Sequence, residues 1–83
     1  MTPTVTLYGR PGCHLCDDAR AALERVRAKA TFSLREIDIT TDDALHSRYL
    51  ERIPVIALDG TELFDYFVDE AALRKLLGTV DRA

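Results

Sequence analysis

The 83-residue sequence predicts an α/β domain, a four-stranded mixed sheet with three helices in the order β-α-β-α-β-β-α. Three observations carry that prediction. A short apolar run at Val5–Tyr8, a long stretch of helical periodicity and a second strand-like run at Phe32–Asp38 form a β-α-β unit, whose crossover makes the two strands parallel. Asp59-Gly60 between two further strand-like runs is a two-residue hairpin signal, which adds two antiparallel strands to the same sheet. A closing amphipathic stretch carries helix-end signals on both sides. Helices must therefore cover both faces of the sheet. No linker, repeat or low-complexity tract interrupts residues 1–83, which read as one domain.

The elements follow in order. After the first strand, Gly9-Arg10-Pro11-Gly12 is a turn, and Cys13 opens a helix that runs to about Lys29. Its apolar positions Leu15, Ala19, Ala22, Val26 and Ala30 step by three or four, and Leu23 widens the stripe. The opposite face carries Asp17, Arg20, Glu24 and Arg27, at spacings that suit weak ion pairs. In the second strand, Phe32 and Leu34 alternate in one phase and Ile37 and Ile39 in the other, which predicts a bulge or strand end near Arg35-Glu36. Thr40, Thr41, Asp42 and Asp43 offer capping groups for a short helix to about Leu50. The hairpin spans Pro54–Leu58 and Thr61–Phe64. In the last helix Asp69 is the expected cap, Val68 a staple against Leu73, and Gly78 the expected stop, with Leu73, Leu76 and Leu77 facing the core.

Cys13-His14-Leu15-Cys16 contains the only two cysteines of the chain. A C-x-x-C between a strand and a helix start reads as redox chemistry, for an electrostatic reason. The first helical turn has unpaired N–H groups and the positive end of the macrodipole, which stabilise a thiolate, the reactive form of cysteine. Cys13 is the expected nucleophile at the exposed helix mouth, and Cys16, one turn on, the resolving thiol. Two buried core cysteines or half of a zinc site are the competing readings. Zinc needs about four ligands, and only His14 and His46 could complete the set. A c-type haem motif would place histidine directly after the second cysteine, where Asp17 stands. His14 is a candidate for stabilising the Cys13 thiolate, and equally an exposed residue of the first turn. Tyr8 and Tyr66 are candidates for the rim of the site or for core packing, and Arg48 and Arg52 for a groove or a solvated surface.

The totals exclude several classes. A net charge of −3 and a pI near 5.2 argue against nucleic acid as a partner. No apolar run is long enough to span a membrane, and Met1-Thr2-Pro3-Thr4 lacks the pattern of a signal peptide. A cytoplasmic location is the resulting expectation. Thiols are kept reduced there, so a C-x-x-C cycles rather than staples.

The element order, the C-x-x-C at the first helix and the proline opening the third strand resemble the thioredoxin fold. Tyr8-Gly9-Arg10-Pro11-Gly12-Cys13-His14-Leu15-Cys16 is similar to the glutaredoxin branch, in particular the small glutaredoxin-like proteins of bacteria. The resemblance covers nearly the whole chain. It implies that Cys13 and Cys16 are the redox pair and that Pro54 is the cis-proline facing it. It further implies that the Ile53 backbone offers hydrogen bonds to bound substrate and that Arg10 helps to hold a glutathione carboxylate. The chain departs from the family pattern in two places. Arg52-Ile53-Pro54 stands where Thr-Val-Pro is usual, and Phe64-Asp65-Tyr66-Phe67-Val68-Asp69 replaces a Gly-Gly turn that holds the γ-glutamyl carboxylate.

The expected activity is thiol–disulfide exchange on a disulfide-containing protein or a glutathione mixed disulfide. No tightly bound cofactor or metal is expected; glutathione is a candidate co-substrate, and glutathione or a reductase the candidate electron donor. The domain is expected to act as a monomer. The alternatives are a non-catalytic redox sensor or interaction module of the same fold, and a redoxin fed by thioredoxin reductase.

Overall fold

A computed structural model describes residues 2–81. Strands β1 (Thr4–Gly9), β2 (Ser33–Asp38), β3 (Val55–Leu58) and β4 (Thr61–Asp65) form one sheet in the order β2-β1-β3-β4. Helix α1 (His14–Arg27) connects the parallel pair β1 and β2, while β3 lies antiparallel to β1 and β4 antiparallel to β3. Helices α2 (Asp43–Tyr49) and α3 (Glu70–Asp81) complete the predicted order, with a 3₁₀ turn at Ile39–Thr41 ahead of α2.

The sheet separates two apolar clusters, one on each face. Val5, Leu7, Ile56 and Leu58 meet Leu23 and Val26 of α1 and Leu73 and Leu77 of α3. On the other side Val55 and Ile53 meet Ile39 and Tyr49, with Tyr8 and Leu45 packed against them. Each fully buried aliphatic side chain contributes about 1.5–3 kcal/mol.

This two-sided burial explains the phase change read in β2. Every residue from Thr4 to Gly9 pairs in unbroken register with Ser33 to Asp38, so the predicted bulge at Arg35-Glu36 is absent. Phe32 and Leu34 belong to the α1/α3 cluster and Ile39 to the α2 cluster. The two apolar phases serve two cores through alternate sides of one regular strand. The irregularity lies in the hairpin instead: Ile56 pairs with Phe64 and Ala57 with Glu62, which leaves Leu63 as the extra residue of a bulge on β4. The Asp59-Gly60 turn forms as predicted, with φ of 48° and 89°, the two positive values that a type I′ turn requires.

Helix ends follow the predicted caps at Asp42 and Asp69 but not the predicted stop at Gly78. The Asp42 carboxylate alone caps α2, accepting the Ala44 and Leu45 N–H groups at 2.9 and 3.1 Å, while Asp38 caps the 3₁₀ turn by accepting the Thr40 N–H at 2.9 Å. Asp69 caps α3 through the Ala72 N–H at 3.0 Å, but Gly78 does not end that helix, which continues to Asp81. Gly78 has no positive φ, so the left-handed stop that favours glycine is not formed. Leu76 is 41% exposed; only Leu73 and Leu77, four apart, share the core line, and Leu76 lies about 100° round from Leu77.

Candidate redox-active site

The site is built where β1 ends and α1 begins. Gly9 closes β1, Gly12 turns the chain with φ 75°, and Cys13 takes an extended backbone as the N-cap of α1. Its carbonyl accepts the Asp17 N–H at 3.1 Å, and its Sγ accepts the Cys16 N–H, also at 3.1 Å. Sulfur therefore fills the place that a serine or aspartate oxygen takes in an ordinary cap. One of the unpaired N–H groups of the helix start points at Cys13 sulfur, which favours negative charge there.

Cys13 and Cys16 form a disulfide, with their Cα atoms 5.1 Å apart. The two sulfurs differ in environment. Cys13 is half-buried against the α2-side cluster, whereas Cys16 is 2% exposed and part of that cluster. The outer position suits the thiol that meets a partner first, and the inner one suits the thiol that follows. Gly9 makes the inner position available: a Cβ on Gly9 would lie 2.9 Å from Cys16 Sγ and 3.2 Å from its Cβ.

A cleft of about 250 Å³ reaches Cys16 from the β2 side. Gly9, Arg10, Arg20, Glu36 and Asp38 line it together with Cys16. Arg20 spans it, pairing with Asp17 at 2.9 Å and with Glu36 of β2.

The chain from Val55 back to Ile53 borders the pair on the other side. The Ile53–Pro54 peptide bond is cis, as the resemblance implies, and the Ile53 side chain packs in the same cluster as Cys13 and Cys16. Beneath them, Tyr49 stacks on Tyr8 with ring centroids 4.7 Å apart. Its phenol donates to Glu62 at 3.2 Å, and burial pushes the phenol pKa up. The guanidinium groups of Arg48 and Arg52 lie 5.4 and 5.6 Å from the Tyr49 ring centre. Arg52 pairs with Glu62 and, at 3.4 Å, with Asp65, so it braces β4 to the segment before β3.

The Arg52 hydrogen bond holds the Glu62 carboxyl below its ordinary value of 4.5. A carboxylate with a depressed folded-state pKa stabilises the fold at pH values above the unfolded value and loses that contribution as pH falls through the folded one. The stability gap between wild type and Glu62→Gln is therefore expected to be constant above about pH 5 and to shrink progressively below pH 4.5. Urea midpoints measured across pH 3–7 check this; a gap independent of pH would remove Glu62 from the account.

Comparison with known proteins decides what this arrangement is. The model of the "Glutaredoxin-like domain (DUF836)" matches residues 4–78. The chain belongs to the glutaredoxin-like family. Uncharacterized proteins of Mycobacterium bovis and Mycobacterium tuberculosis are 32% identical over 77 residues, covering 87% of this chain and 79% of theirs. Among solved structures, the chain is similar to a Nitrosomonas europaea protein determined by solution NMR, with TM-score 0.82 and 33% identity over 93% of each chain. It is also similar to an X. campestris protein determined by X-ray, with TM-score 0.71 and 42% identity over 90% of this chain and 96% of that one. A mutant thioredoxin from Halobacterium salinarum has TM-score 0.66 at 23% identity, covering 93% of this chain and 73% of its own, a likeness of fold. The glutaredoxin-like domain thus has the thioredoxin fold, and its cysteine pair fits a redox role.

The glutaredoxin-like domain brings Cys13, Cys16 and Ile53 into one cluster and sets Arg10 at the lip of the cleft beside Cys16. His14 is exposed at the first position of α1. Ile53 and Pro54 are buried, and the Pro54 carbonyl accepts the Tyr66 N–H at 2.9 Å. Leu15, expected in the core, is 49% exposed. The structural part of Gly9 escaped sequence reasoning: its partner is a side chain seven positions on, and no local pattern signals that approach.

Proposed function

We propose that this glutaredoxin-like domain is a thiol–disulfide oxidoreductase in which Cys13 is the nucleophile and Cys16 the resolving thiol. The observation that carries the reading is the asymmetry of the pair: an outer sulfur at a helix N-cap that accepts an N–H, and an inner sulfur buried beside it. In the reduced domain the N-cap position is expected to hold the Cys13 thiol below the ~8.5 of an ordinary cysteine.

The reaction balances as two exchanges. Cys13 thiolate attacks one sulfur of the substrate disulfide, that S–S bond breaks, and the departing thiolate takes a proton from water. Cys16 then gives up its proton and attacks Cys13 sulfur. The mixed disulfide breaks, the second substrate thiol leaves, and the Cys13–Cys16 disulfide remains. Two electrons have passed from the dithiol to the substrate. A thiol reductant, glutathione or a reductase protein, returns the pair to the dithiol. The rate depends on both the thiolate fraction and the leaving-group pKa, so a moderately lowered Cys13 pKa is the useful one. Arg10, exposed beside the cleft, supplies positive charge for an anionic substrate group, and the Ile53 backbone supplies hydrogen bonds. Substrates are a disulfide-containing protein or a glutathione mixed disulfide, and no resident metal or organic cofactor enters either step.

The test is trapping. Cys16→Ser, reduced and mixed with a glutathione mixed disulfide or a protein disulfide, should accumulate a covalent adduct on Cys13, seen as a mass increase that dithiothreitol reverses. Wild type should instead turn the substrate over and end as the internal disulfide. Absence of both adduct and turnover would leave a non-catalytic module of the same fold.

A further inference from the structure

We propose that Arg20 is a positioning residue for the second exchange: by pairing with Asp17 and Glu36 in the cleft that reaches Cys16, it offsets negative charge that would keep the resolving thiol protonated. The proposal rests on the oxidoreductase reading and deepens it by one residue.

The second exchange makes a demand that the first does not. Cys13 is half-buried, and its sulfur accepts the Cys16 N–H at 3.1 Å, which favours negative charge there. Cys16 is 2% exposed and enclosed by Ile39, Tyr49, Ile53 and Val55. A thiol in such apolar surroundings ionises less readily than one in water. Cys16 must nevertheless give its proton to solvent before its sulfur can attack Cys13 sulfur. The Cys13–substrate bond then breaks, and the electron pair leaves on the substrate sulfur, which takes up a proton. The charges that face Cys16 govern how readily the first of these events occurs.

Those charges are gathered in the cleft. Cys16 and Arg20 stand four apart on α1, so they share one helix face with Cβ atoms about 5–6 Å apart. Gly9, where an added Cβ would meet Cys16 sulfur, pairs with Asp38, and Leu7 pairs with Glu36. Glu36 and Asp38 therefore point to one side of β2. Asp17 adds a third carboxylate and Arg10 a second guanidinium. Two cations meet three carboxylates there, which leaves one negative charge in excess. Without Arg20 the excess is two; without the Glu36 charge it is nil. Thr40 donates to Asp38, while Arg20 holds Asp17 at 2.9 Å and Glu36. His14 and Asp18 are exposed on α1 and do not line the cleft. The titratable groups on the other side of Cys16 are the Tyr8 and Tyr49 phenols, a class that stays neutral near pH 7. Arg48 and Arg52 lie beyond the Tyr49 ring, and Glu62 pairs with both.

An exposed ion pair contributes little to the fold. The Arg20 and Glu36 side chains are each 46% exposed, so replacing either leaves the core intact. What sets this pair apart is its place, bridging α1 and β2 beside the thiol that burial holds back. One partly exposed charge at this range moves the ionisation of a neighbour by about half a pH unit, which changes the thiolate fraction about threefold. A more basic thiolate is also a better nucleophile, so the net change in rate is about twofold.

A small neutral disulfide, dithiodipyridine, tests this because it reports the two exchanges separately. Attack by Cys13 releases one thiopyridone, and attack by Cys16 on the resulting adduct releases the second. In stopped-flow absorbance measured from neutral to alkaline pH, Arg20→Gln should slow the second release about twofold near pH 7 and move the midpoint of its pH profile up by about half a unit. The first release should change less. Glu36→Gln should do the opposite, and Arg20→Lys should match wild type. The opposite signs are the discriminating feature. Both glutamine variants break the same ion pair, so a purely structural role would move both in one direction. Changes of the same sign, or a second release indifferent to both variants, would overturn the assignment of Arg20 and leave the two-step reading intact. A wild type that releases one thiopyridone and keeps the adduct would instead overturn Cys16 as resolving thiol, and with it the oxidoreductase reading.

Discussion

Cys13→Ser is expected to lower disulfide exchange by on the order of 10³-fold or more while leaving the reduced domain folded. The separation of the two effects comes from the position of Cys13. Its sulfur caps α1 by accepting the Cys16 N–H at 3.1 Å, and serine is among the preferred residues for that task. The hydroxyl takes over the capping bond, so the helix start is retained. What is lost is the nucleophile, because a serine hydroxyl at neutral pH is essentially unionised and forms no stable bond to sulfur. Reduction of a glutathione mixed disulfide, coupled through glutathione reductase to NADPH oxidation, measures the first effect. Urea unfolding under reducing conditions measures the second. Residual activity within tenfold of wild type would rule out Cys13 as nucleophile. Cys16→Ser should behave differently in the stability measurement. Cys16 is enclosed among Ile39, Tyr49, Ile53 and Val55, and a hydroxyl placed there without a partner costs about 1–3 kcal/mol.

Gly9→Ala is expected to destabilise the oxidised domain by about 1–3 kcal/mol, the usual cost of forcing an extra carbon into a packed site, and the reduced domain by less. The added Cβ would stand 2.9 Å from Cys16 Sγ, closer than such atoms approach. Gly9 pairs with Asp38 as an ordinary strand residue without positive φ, so the backbone accepts alanine and the penalty comes from the contacts with Cys16, chiefly the one with Sγ and to a lesser extent the 3.2 Å approach to Cβ. In the disulfide form Cys16 sulfur is bonded to Cys13 and cannot turn away; in the dithiol form its side chain is free to rotate. Unfolding midpoints with and without dithiothreitol give the comparison. Gly12→Ala is the control: Gly12 has φ 75° and open space around it, so its penalty is a backbone one and should be equal in both redox states. An equal penalty in both states for Gly9→Ala would show that the contact with sulfur is not what requires glycine there.

Most of the frame was legible because its signals are local. The β-α-β unit, the hairpin at Asp59-Gly60 and the caps at Asp42 and Asp69 are each set by residues within a few positions of one another. The redox pair was legible for the same reason: a C-x-x-C after a strand and turn can only open the next helix. The errors share one cause. The phase change in β2, the exposure of Leu15 and Leu76 and the continuation of α3 past Gly78 all depend on what lies across from each residue. Periodicity gives a side chain's direction; it does not say whether a strand, a helix or water meets it there.

The amino-acid sequence by itself determined the order of the elements, the place of Cys13 and Cys16 at the start of α1 and the turn that makes the hairpin, since each rests on spacings shorter than one element. Tertiary structure alone decided that one face of the sheet rests on α1 and α3 and the other on α2, that Gly9 makes room for Cys16, and that Tyr66 is clamped to Glu51 and Pro54 with Phe67 held outward. Those relations join residues from separate elements, and they exist only once the sheet has brought the ends of β1, β3 and β4 together.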